Sequence, residues 1–273
     1  MIWTRRGSLV PCEEAGYPVG VEGAKTLYEE APLQEGMTTA LYLVDSYRRE
    51  CPAKVVSVAQ GKYVVLDQTI FSPRGGGQPE DSGQMVKGSE VYQVTFVKKV
   101  AGNVSHEVDR VGLQEGDAVT CVLDWDRRFK LMRNHTAAHV LAALLCSETG
   151  ALITGNQLGV DRTRFDFSLE HFDRSLLLHY IDAANDLCTQ DIPVKCYELP
   201  REEALRIPGI VKMATALPPQ VQSLRVVEIV GVDVQADGGT HVRNLREVGR
   251  IRFLDAQNKG KHNRRVYFSL EDT

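Results

Sequence analysis

The sequence predicts a small all-β barrel domain followed by an α+β domain. Short segments of β-type composition, separated by turns, fill the chain from Cys51 to Trp125. From there the hydrophobic period becomes that of a long helix, and helices and strands then alternate to the end of the chain. We therefore expect an extension at 1–36, a barrel domain at 37–124 and an α+β domain at 125–273.

The composition excludes several classes of protein. A chain of 273 residues with 43% hydrophobic and 25% charged residues is typical of a soluble globular protein. No apolar run approaches the roughly 18 residues of a membrane helix. The net charge of −4 means that any contact with nucleic acid must use local basic patches. Six scattered cysteines, no CxxC pair and no secretory signal indicate reduced thiols in a cytoplasmic protein.

The first 36 residues lack any sustained hydrophobic period. Glycine, proline, glutamate and other charged residues dominate them. We expect a weakly structured extension. It is either specific to this lineage or results from a translation start placed upstream of the true start codon, that of Met37.

The barrel domain is predicted from alternating apolar segments at 55–58, 62–69, 90–100, 104–109 and 118–125. A small barrel is the natural way to close such a sheet. Three consecutive glycines, Gly75, Gly76 and Gly77, lie in the loop between the second and third segments. They either let the backbone approach a ligand closely or form a hairpin loop at the rim. Gln78 is the best candidate in this loop for a contact with a substrate.

The second domain begins with a helix from 124–126 to Gly150, with an aspartate at its start and a glycine at its end. Further helices are predicted at 173–188 and 201–207, and strands at 163–170, 193–199, 224–234, 246–254 and 264–270. This mixture of helices and antiparallel strands favours an α+β fold.

Four side chains are candidate metal ligands. His135 and His139 are four residues apart and so lie on one face of the long helix. Asp237 and His241 flank two glycines that mark a tight turn, which can aim both side chains at one point. Three imidazoles and a carboxylate are a suitable set for Zn²⁺. Taken separately, the first pair can be two unrelated helix histidines, and Asp237 can simply bond to amides of its own turn.

Several segments of the chain resemble one protein family. HTAAH, about one hundred residues before DGGTHVRNLREVG, resembles the editing domain of alanyl-tRNA synthetase and of its free-standing relatives, the AlaX proteins. FSPRGGGQPEDSG, RTRFDFS and NKGKHNRRVYF are similar to further segments of that family, in the same order. The resemblance runs from Met37 to the end and is to the mid-sized class. It implies a small β-barrel and an editing domain like the second additional domain of threonyl- and alanyl-tRNA synthetases.

The resemblance also implies an activity. Members of this family hydrolyse, in trans, the ester of tRNA(Ala) mischarged with serine and in some members with glycine. We expect an aminoacyl-tRNA hydrolase with no membrane association and no stable protein partner. The alternatives are a non-catalytic tRNA-binding module with a degenerate site and a hydrolase of a different ester. The sequence does not distinguish serine from glycine preference.

The family metal site consists of HxxxH and CxxxH. Its positions fall on His135, His139 and His241, whereas Asp237 stands where many members have cysteine. A carboxylate also binds zinc, so we expect one Zn²⁺ per chain with Asp237 as a direct ligand. The alternative is that Asp237 orients a histidine or a water from outside the ligand set.

Candidate substrate contacts remain. Recognition of the hydroxyl group of serine requires polar groups near the histidines, and the candidates are Thr136, Thr154, Asn156 and Gln157. Two basic clusters are candidates for binding tRNA phosphates, namely Arg127, Arg128, Lys130 and Arg133, and Lys259, Lys261, Arg264 and Arg265. The alternatives are ordinary polar residues of a helix and turn, and solvated charged faces.

Overall fold

The computed structural model describes residues 37–169, 173–211, 221–260 and 262–271, and the backbone of three two-residue strands before them. The chain divides into two compact units. One consists of Met1–Glu29 and Arg133–Thr273, and the other is Glu30–Met132. Within the described ranges, no helix is both long enough and apolar enough to cross a membrane. The expectation for 1–36 lies almost wholly outside the described residues.

The unit Glu30–Met132 contains the predicted barrel. Six strands close into it in the order β10-β6-β5-β11-β8-β9, every pair of neighbours being antiparallel. The strands of the barrel are β5 (Glu50–Ala59), β6 (Tyr63–Leu66), β8 (Gly83–Lys87), β9 (Glu90–Val100), β10 (Asn103–Val108) and β11 (Ala118–Leu123). The short elements β4 (Thr39–Ala40), α1 (Leu41–Val44) and β7 (Gln68–Thr69) belong to the same unit.

The barrel closes around an apolar interior because its strands alternate in hydrophobicity. Every second residue is buried in β11, including Cys121, and in β5 as far as Val55. Polar groups of this unit are buried as well, and the examples that follow are bonded. His106 contacts the Thr69 hydroxyl at 2.8 Å, and the guanidinium of Arg128 forms an ion pair with Asp81. Burial of such groups is tolerated only when they are hydrogen-bonded.

The other unit is α+β, as predicted. The long helix α2 (Trp125–Thr149) starts in the barrel unit and ends in this one, which also contains α3 (Arg174–Cys188) and α4 (Arg201–Ala204). Its strands are β1 (Ile2–Trp3), β2 (Leu9–Val10), β3 (Lys25–Thr26), β12 (Ile153–Gln157), β13 (Thr163–Phe167), β14 (Val194–Pro200), β15 (Ser223–Ile229), β16 (Asp233–Ala236), β17 (Ile251–Asn258) and β18 (Arg264–Leu270).

Two antiparallel four-stranded sheets organise this unit. One has the order β12-β13-β18-β17 and the other has the order β16-β15-β14-β3. Buried phenylalanines of the first sheet, Phe165 and Phe167, form an apolar cluster with Leu141 and Leu145 of α2 and with side chains of α3. The second sheet ends, after β16, in the turn that carries Asp237.

Two predicted strands are corrected. The segment 224–234 is not one strand but the hairpin of β15 and β16, with a turn at Val230–Val232 and Gly231 at a positive φ of 75°. The segment 246–254 begins with a short 3₁₀-helix, Leu245–Glu247, before β17. A capping box on Asn244 stabilises that turn, because the Asn244 side chain accepts from Arg246 N–H and Glu247 returns a bond to the Asn244 N–H.

Candidate metal centre

Helix α2 presents two imidazoles to a single point. His135 and His139 lie one turn apart and are almost fully buried, and their ring centroids are 5.1 Å apart. The third imidazole, that of His241, stacks close to both, with centroids 4.2 Å from His135 and 4.7 Å from His139. Three histidines from distant parts of the chain therefore meet in a buried cluster.

The turn after β16 brings a carboxylate to the same point. Asp237 Oδ2 lies 3.4 Å from His135 Nε2 and 3.7 Å from His139 Nε2, and Asp237 Oδ1 lies 3.4 Å from His241 Nε2. The side chain of Asp237 keeps 21% of its surface exposed, whereas the imidazoles are nearly inaccessible. Solvent or a substrate therefore has access to the cluster on its Asp237 side.

These distances are suitable for one metal ion. The four ligand atoms all lie within 4.8 Å of one another. Metal–ligand bonds of about 2.0–2.1 Å in a tetrahedral arrangement place neighbouring ligand atoms about 3.3 Å apart. The separations of 3.4 and 3.7 Å between Asp237 and the imidazoles require only a small contraction around an ion, and the widest separation in the set, within 4.8 Å, requires a larger one. The donor set, three nitrogens and one oxygen, is one that zinc accepts.

Buried partners fix the ring of His139. Its Nδ1 lies 2.9 Å from Asp233 Oδ2, and the Gln235 side-chain amide donates to the same oxygen at 2.7 Å. A histidine that donates its Nδ1–H to a carboxylate presents Nε2 as a lone-pair donor, which is the usual arrangement around protein-bound metals. Asp233 is thus a carboxylate that orients His139 without itself belonging to the cluster.

Thr136 plays the corresponding role for His241. The Thr136 hydroxyl lies 3.1 Å from His241 Nδ1 and also accepts the backbone N–H of Val242 at 3.3 Å. Thr136 is completely buried. We predicted that it lines a substrate pocket, and this is wrong: the hydroxyl is used to hold His241 and has no surface to offer a substrate.

The cluster strongly perturbs the pKa values of its members. Burial lowers the pKa of His135 and takes that of His241 well below its usual range. Burial alone would also lower the pKa of His139, but hydrogen bonds to Asp233 and Asp237 outweigh it and raise this pKa to about 9. For Asp237, burial favours the protonated form, yet the neighbouring histidines hold its pKa well below 3.8. A metal that binds at neutral pH must therefore displace a proton from His139.

One arginine holds the turn that carries Asp237. The Nη1 of Arg225 donates to the backbone carbonyls of Asp237 and Gly239, at 2.9 Å each, and its Nη2 contacts Cys196 Sγ at 3.3 Å. The Gly239 N–H donates to Asp237 Oδ1. A Cβ at Gly239 would overlap the ring of His135, so only glycine allows the turn to pass this close to the cluster.

The other polar candidates lie on strand β12. Thr154 and Gln157 are exposed and Asn156 is half-buried. The Thr154 hydroxyl donates to the Asn263 side chain at 3.2 Å. Contacts of these three residues with a substrate stay a prediction.

The glycine-rich loop is a tight turn of the barrel unit. Gly75 and Gln78 exchange two backbone hydrogen bonds, and Gly76 and Gly77 have positive φ values of 58° and 89°. A Cβ at Gly75 or Gly76 would meet no atom within 4 Å. Gln78 has only 2% of its surface exposed, so its predicted contact with a substrate is wrong for this structure. The turn geometry, and not close packing, is what requires glycine here.

The structure also corrects the basic clusters. Arg128 is fully buried against Asp81 and donates to the carbonyls of Ser46 and Ile70. Arg133 donates to the backbone carbonyls of Val248 and Glu271 and is 4% exposed. These two guanidinium groups stabilise the fold and cannot reach RNA.

In the C-terminal cluster, Arg264 is buried and donates to Asn258 and Asn263, so it too is a structural residue. Arg265 forms a bidentate ion pair with Asp166 at 2.7 and 2.8 Å. Lys259 is exposed, and Lys261 lies outside the described residues.

Two candidates of the helix cluster are not fully buried. Lys130 is exposed, whereas Arg127 is half-buried and donates to the backbone carbonyl of Glu80. Their contact with tRNA stays a prediction.

Sequence reasoning missed Asp233, Gln235 and Arg225. Each lies within fifteen residues of Asp237, but an isolated polar residue in a strand carries no signal of what it faces. In β16, the residues at alternate positions, Asp233 and Gln235, are both buried. Because buried polar residues require partners, this alternation is the pattern that points to Asp233 and Gln235.

The fold and the cluster define the class of protein. Residues 224–267 match the family model "Threonyl and Alanyl tRNA synthetase second additional domain", and residues 24–127 match "tRNA synthetases class II (A)". The chain is therefore built like the part of a class II synthetase that carries this additional domain.

The chain matches two of its relatives over their whole length. The chain is 46% identical, over 243 residues, to "Alanyl-tRNA editing protein AlaX-M" of Methanosarcina barkeri, covering 86% of this chain and 100% of that protein. A protein of the same name from Saccharolobus solfataricus is 46% identical over 239 residues, with the same coverage. "Alanine--tRNA ligase" of Pyrococcus abyssi is 41% identical over 225 residues, which are 80% of this chain but 24% of that enzyme. The chain belongs to the AlaX-M family of alanyl-tRNA editing proteins.

Proposed function

We propose that the chain is a metal-dependent deacylase that hydrolyses tRNA(Ala) mischarged with serine, and secondarily with glycine, in trans. Membership of the AlaX-M family supports the reaction class. The observation that carries the metal dependence is the approach of Asp237 to three Nε2 atoms at distances close to those between the ligands of a tetrahedral ion.

The ligand set in this proposal is His135, His139, Asp237 and His241, with one Zn²⁺. Asp237 ligates directly through Oδ2, since its Oδ1 is already bonded to the Gly239 N–H. When bound, the ion would polarise the ester carbonyl or lower the pKa of a water molecule. The side chains of this protein orient the ligands. Asp233 and Thr136 hold the Nδ1 protons that leave Nε2 of His139 and His241 free as ligands.

Recognition of the aminoacyl group is assigned to the exposed side of the cluster. A serine hydroxyl needs a polar partner that alanine would leave unpaired, and such a partner discriminates far better than a fit to the methyl group alone. Thr154, Asn156 and Gln157 on β12 remain the candidates for that partner.

The decisive experiment measures deacylation of seryl-, glycyl- and alanyl-tRNA(Ala), with metal content determined on the same preparation. We expect loss of serine at the highest rate, slower loss of glycine and little loss of alanine. If the metal-loaded protein binds tRNA but leaves both mischarged species intact, the chain is a tRNA-binding module. If it cleaves small esters equally well without tRNA, it is a hydrolase of another kind.

Variants of Asp237 test the ligand. Asp237→Ala is expected to lose metal and activity together, whereas Asp237→Cys restores the donor found in many family members and should keep both. Asp182→Ala is the matched control, because Asp182 is an exposed carboxylate of α3 in the same unit. Full metal content in Asp237→Ala would show that Asp237 is not a ligand.

A further inference from the structure

The outward side of the sheet β12-β13-β18-β17 carries charged residues that no step above uses. On strand β13, Thr163, Phe165 and Phe167 are buried on one side of the sheet. Arg164, which is half-buried, and Asp166, which is buried beside Arg265, face the other side. Opposite them on β18 stand Tyr267 and Arg265 respectively. We call this side, defined by Arg162, Arg164, Asp166, Arg265 and Tyr267, the outer sheet face.

The charges on the outer sheet face are unequally satisfied. Asp166 and Arg265 neutralise each other through their bidentate pair. Asp255, another carboxylate on this side, accepts a hydrogen bond from the Gln257 amide at 2.9 Å. Glu271 lies 3.9 Å from Arg252, and the exposed Asp161 directly precedes Arg162. Two guanidinium groups, those of Arg162 and Arg164, have no ion-pair partner among the described residues. The buried Nε of Arg164 has no hydrogen-bond acceptor in the part of the chain that the structure describes.

Arg162 and Arg164 lie close together on this side of the sheet. The guanidinium of Arg162 lies 4.7 Å from the centre of the Tyr267 ring, a cation–π contact that holds an exposed side chain over the sheet. Arg162 directly precedes β13 and is two residues from Arg164, so their Cα atoms are at most about 7 Å apart. Both lie on the same side, because Arg162 contacts Tyr267, which stands opposite Arg164 on β18. The distance between the two Cα atoms is on the scale of the separation between successive phosphates of a nucleic-acid strand.

We propose that the outer sheet face binds the phosphodiester backbone of the tRNA substrate, with Arg162 and Arg164 on neighbouring phosphates. The proposal rests on the proposed function for the identity of the RNA. A planar guanidinium donates two parallel hydrogen bonds to a phosphate, which a lysine ammonium does not reproduce. In the sequence, this surface is indicated by the alternation of polar and apolar residues in RTRFDFS (162–168), and not by the basic residues at 259–265.

The test measures equilibrium binding of uncharged tRNA(Ala) and the deacylation KM and kcat over a series of salt concentrations. Arg162→Gln with Arg164→Gln should raise Kd and KM by about tenfold or more and leave kcat unchanged. The slope of log K against log[salt] should fall by about 0.7–0.9 for each phosphate contact removed. Arg164→Lys should keep the slope and weaken the affinity, because the charge remains but the fork is lost.

The matched control is Arg110→Gln. Arg110 is also exposed and also lies over a tyrosine ring, 4.9 Å from the centre of Tyr92, but on the barrel unit. Arg110→Gln removes one positive charge and one cation–π contact, as Arg162→Gln does by itself, and its Kd and salt slope should equal those of the wild type. Equal melting temperatures would show that all variants are folded.

The outcomes separate this proposal from the proposed function. If the double variant, Arg162→Gln with Arg164→Gln, binds tRNA with the Kd and the salt slope of the wild type, the proposed role of the outer sheet face is wrong, even when the wild type deacylates normally. If the wild type does not deacylate but loses tRNA binding in the double variant, the RNA surface stands and the proposed function fails. If Arg110→Gln lost as much tRNA affinity as the double variant, the effect would come from the overall charge of the protein and not from the outer sheet face. That result would also overturn the proposal.

Discussion

Replacement of Gly239 by alanine tests whether the turn after β16 sets the geometry of the metal centre. A Cβ at this position would lie inside van der Waals contact with Cε1 and Nδ1 of His135 and 2.9 Å from Asp237 Oδ1. Because unstrained carbon contacts begin near 3.5 Å, the imidazole must retreat by about 1 Å. Metal–ligand distances tolerate only about 0.2 Å of deviation, so His135 would no longer reach the ion.

Gly238→Ala is the matched control for this substitution. Its Cβ would meet nothing within 4 Å, and neither glycine has a φ in the left-handed region, so backbone strain does not distinguish the two. We expect Gly239→Ala to weaken metal affinity by about 100-fold or more, beyond the usual effect of disturbing a residue that only orients a ligand. Gly238→Ala should bind metal like the wild type.

Competition with a chelator of known affinity measures this difference, and Co²⁺ absorption reports whether four-coordinate geometry survives. Thermal unfolding of the metal-free proteins separates a local effect from a general one, since overpacking costs about 1–3 kcal/mol. Wild-type metal affinity and an unchanged Co²⁺ spectrum in Gly239→Ala would refute the reasoning, because His135 would then not be a ligand held by this turn.

Three further predictions concern buried polar groups. Asp233→Asn removes the charge that orients His139 and should weaken metal binding about 10- to 100-fold in chelator competition; an unchanged affinity would contradict this. Asp81→Ala leaves the Arg128 guanidinium buried without a counter-charge and should cost about 3–5 kcal/mol in urea unfolding, and a loss below 1 kcal/mol would mean that water reaches the guanidinium. Burial lowers the pKa of His106 to about 4 from 6.5, so the unfolded state binds the proton more readily. Stability should therefore fall by up to about 3 kcal/mol as the pH drops from 6.5 to 4, and His106→Gln should remove this part of the pH dependence.

The barrel and the long helix are predictable because their patterns are local. Strands such as β9 alternate with a period of two, and α2 carries an aspartate at its start and Gly150 after its end. The hairpin of β15 and β16 was missed because Gly231 interrupts an otherwise continuous apolar segment, and a single glycine also occurs within strands.

The sequence determined which residue types can bind a metal. Spacing of four on a helix places His135 and His139 on one face whatever the rest of the chain does, and the two glycines after Asp237 require a turn. Only the tertiary structure decided that these two pairs, about one hundred residues apart, meet at ligand distances. The hydrophobic core brings them together, and its packing is a property of the whole unit.

Tertiary structure also decided what each charge does. In sequence, Arg128, Arg133 and Arg264 look like a surface for RNA, since a basic residue carries no local mark of burial. In the fold each donates hydrogen bonds to acceptors of the protein, which offset the cost of burying a guanidinium. Arg164, in contrast, is only half-buried, and the side it faces is fixed by the register of β13 against β18, which no local pattern specifies.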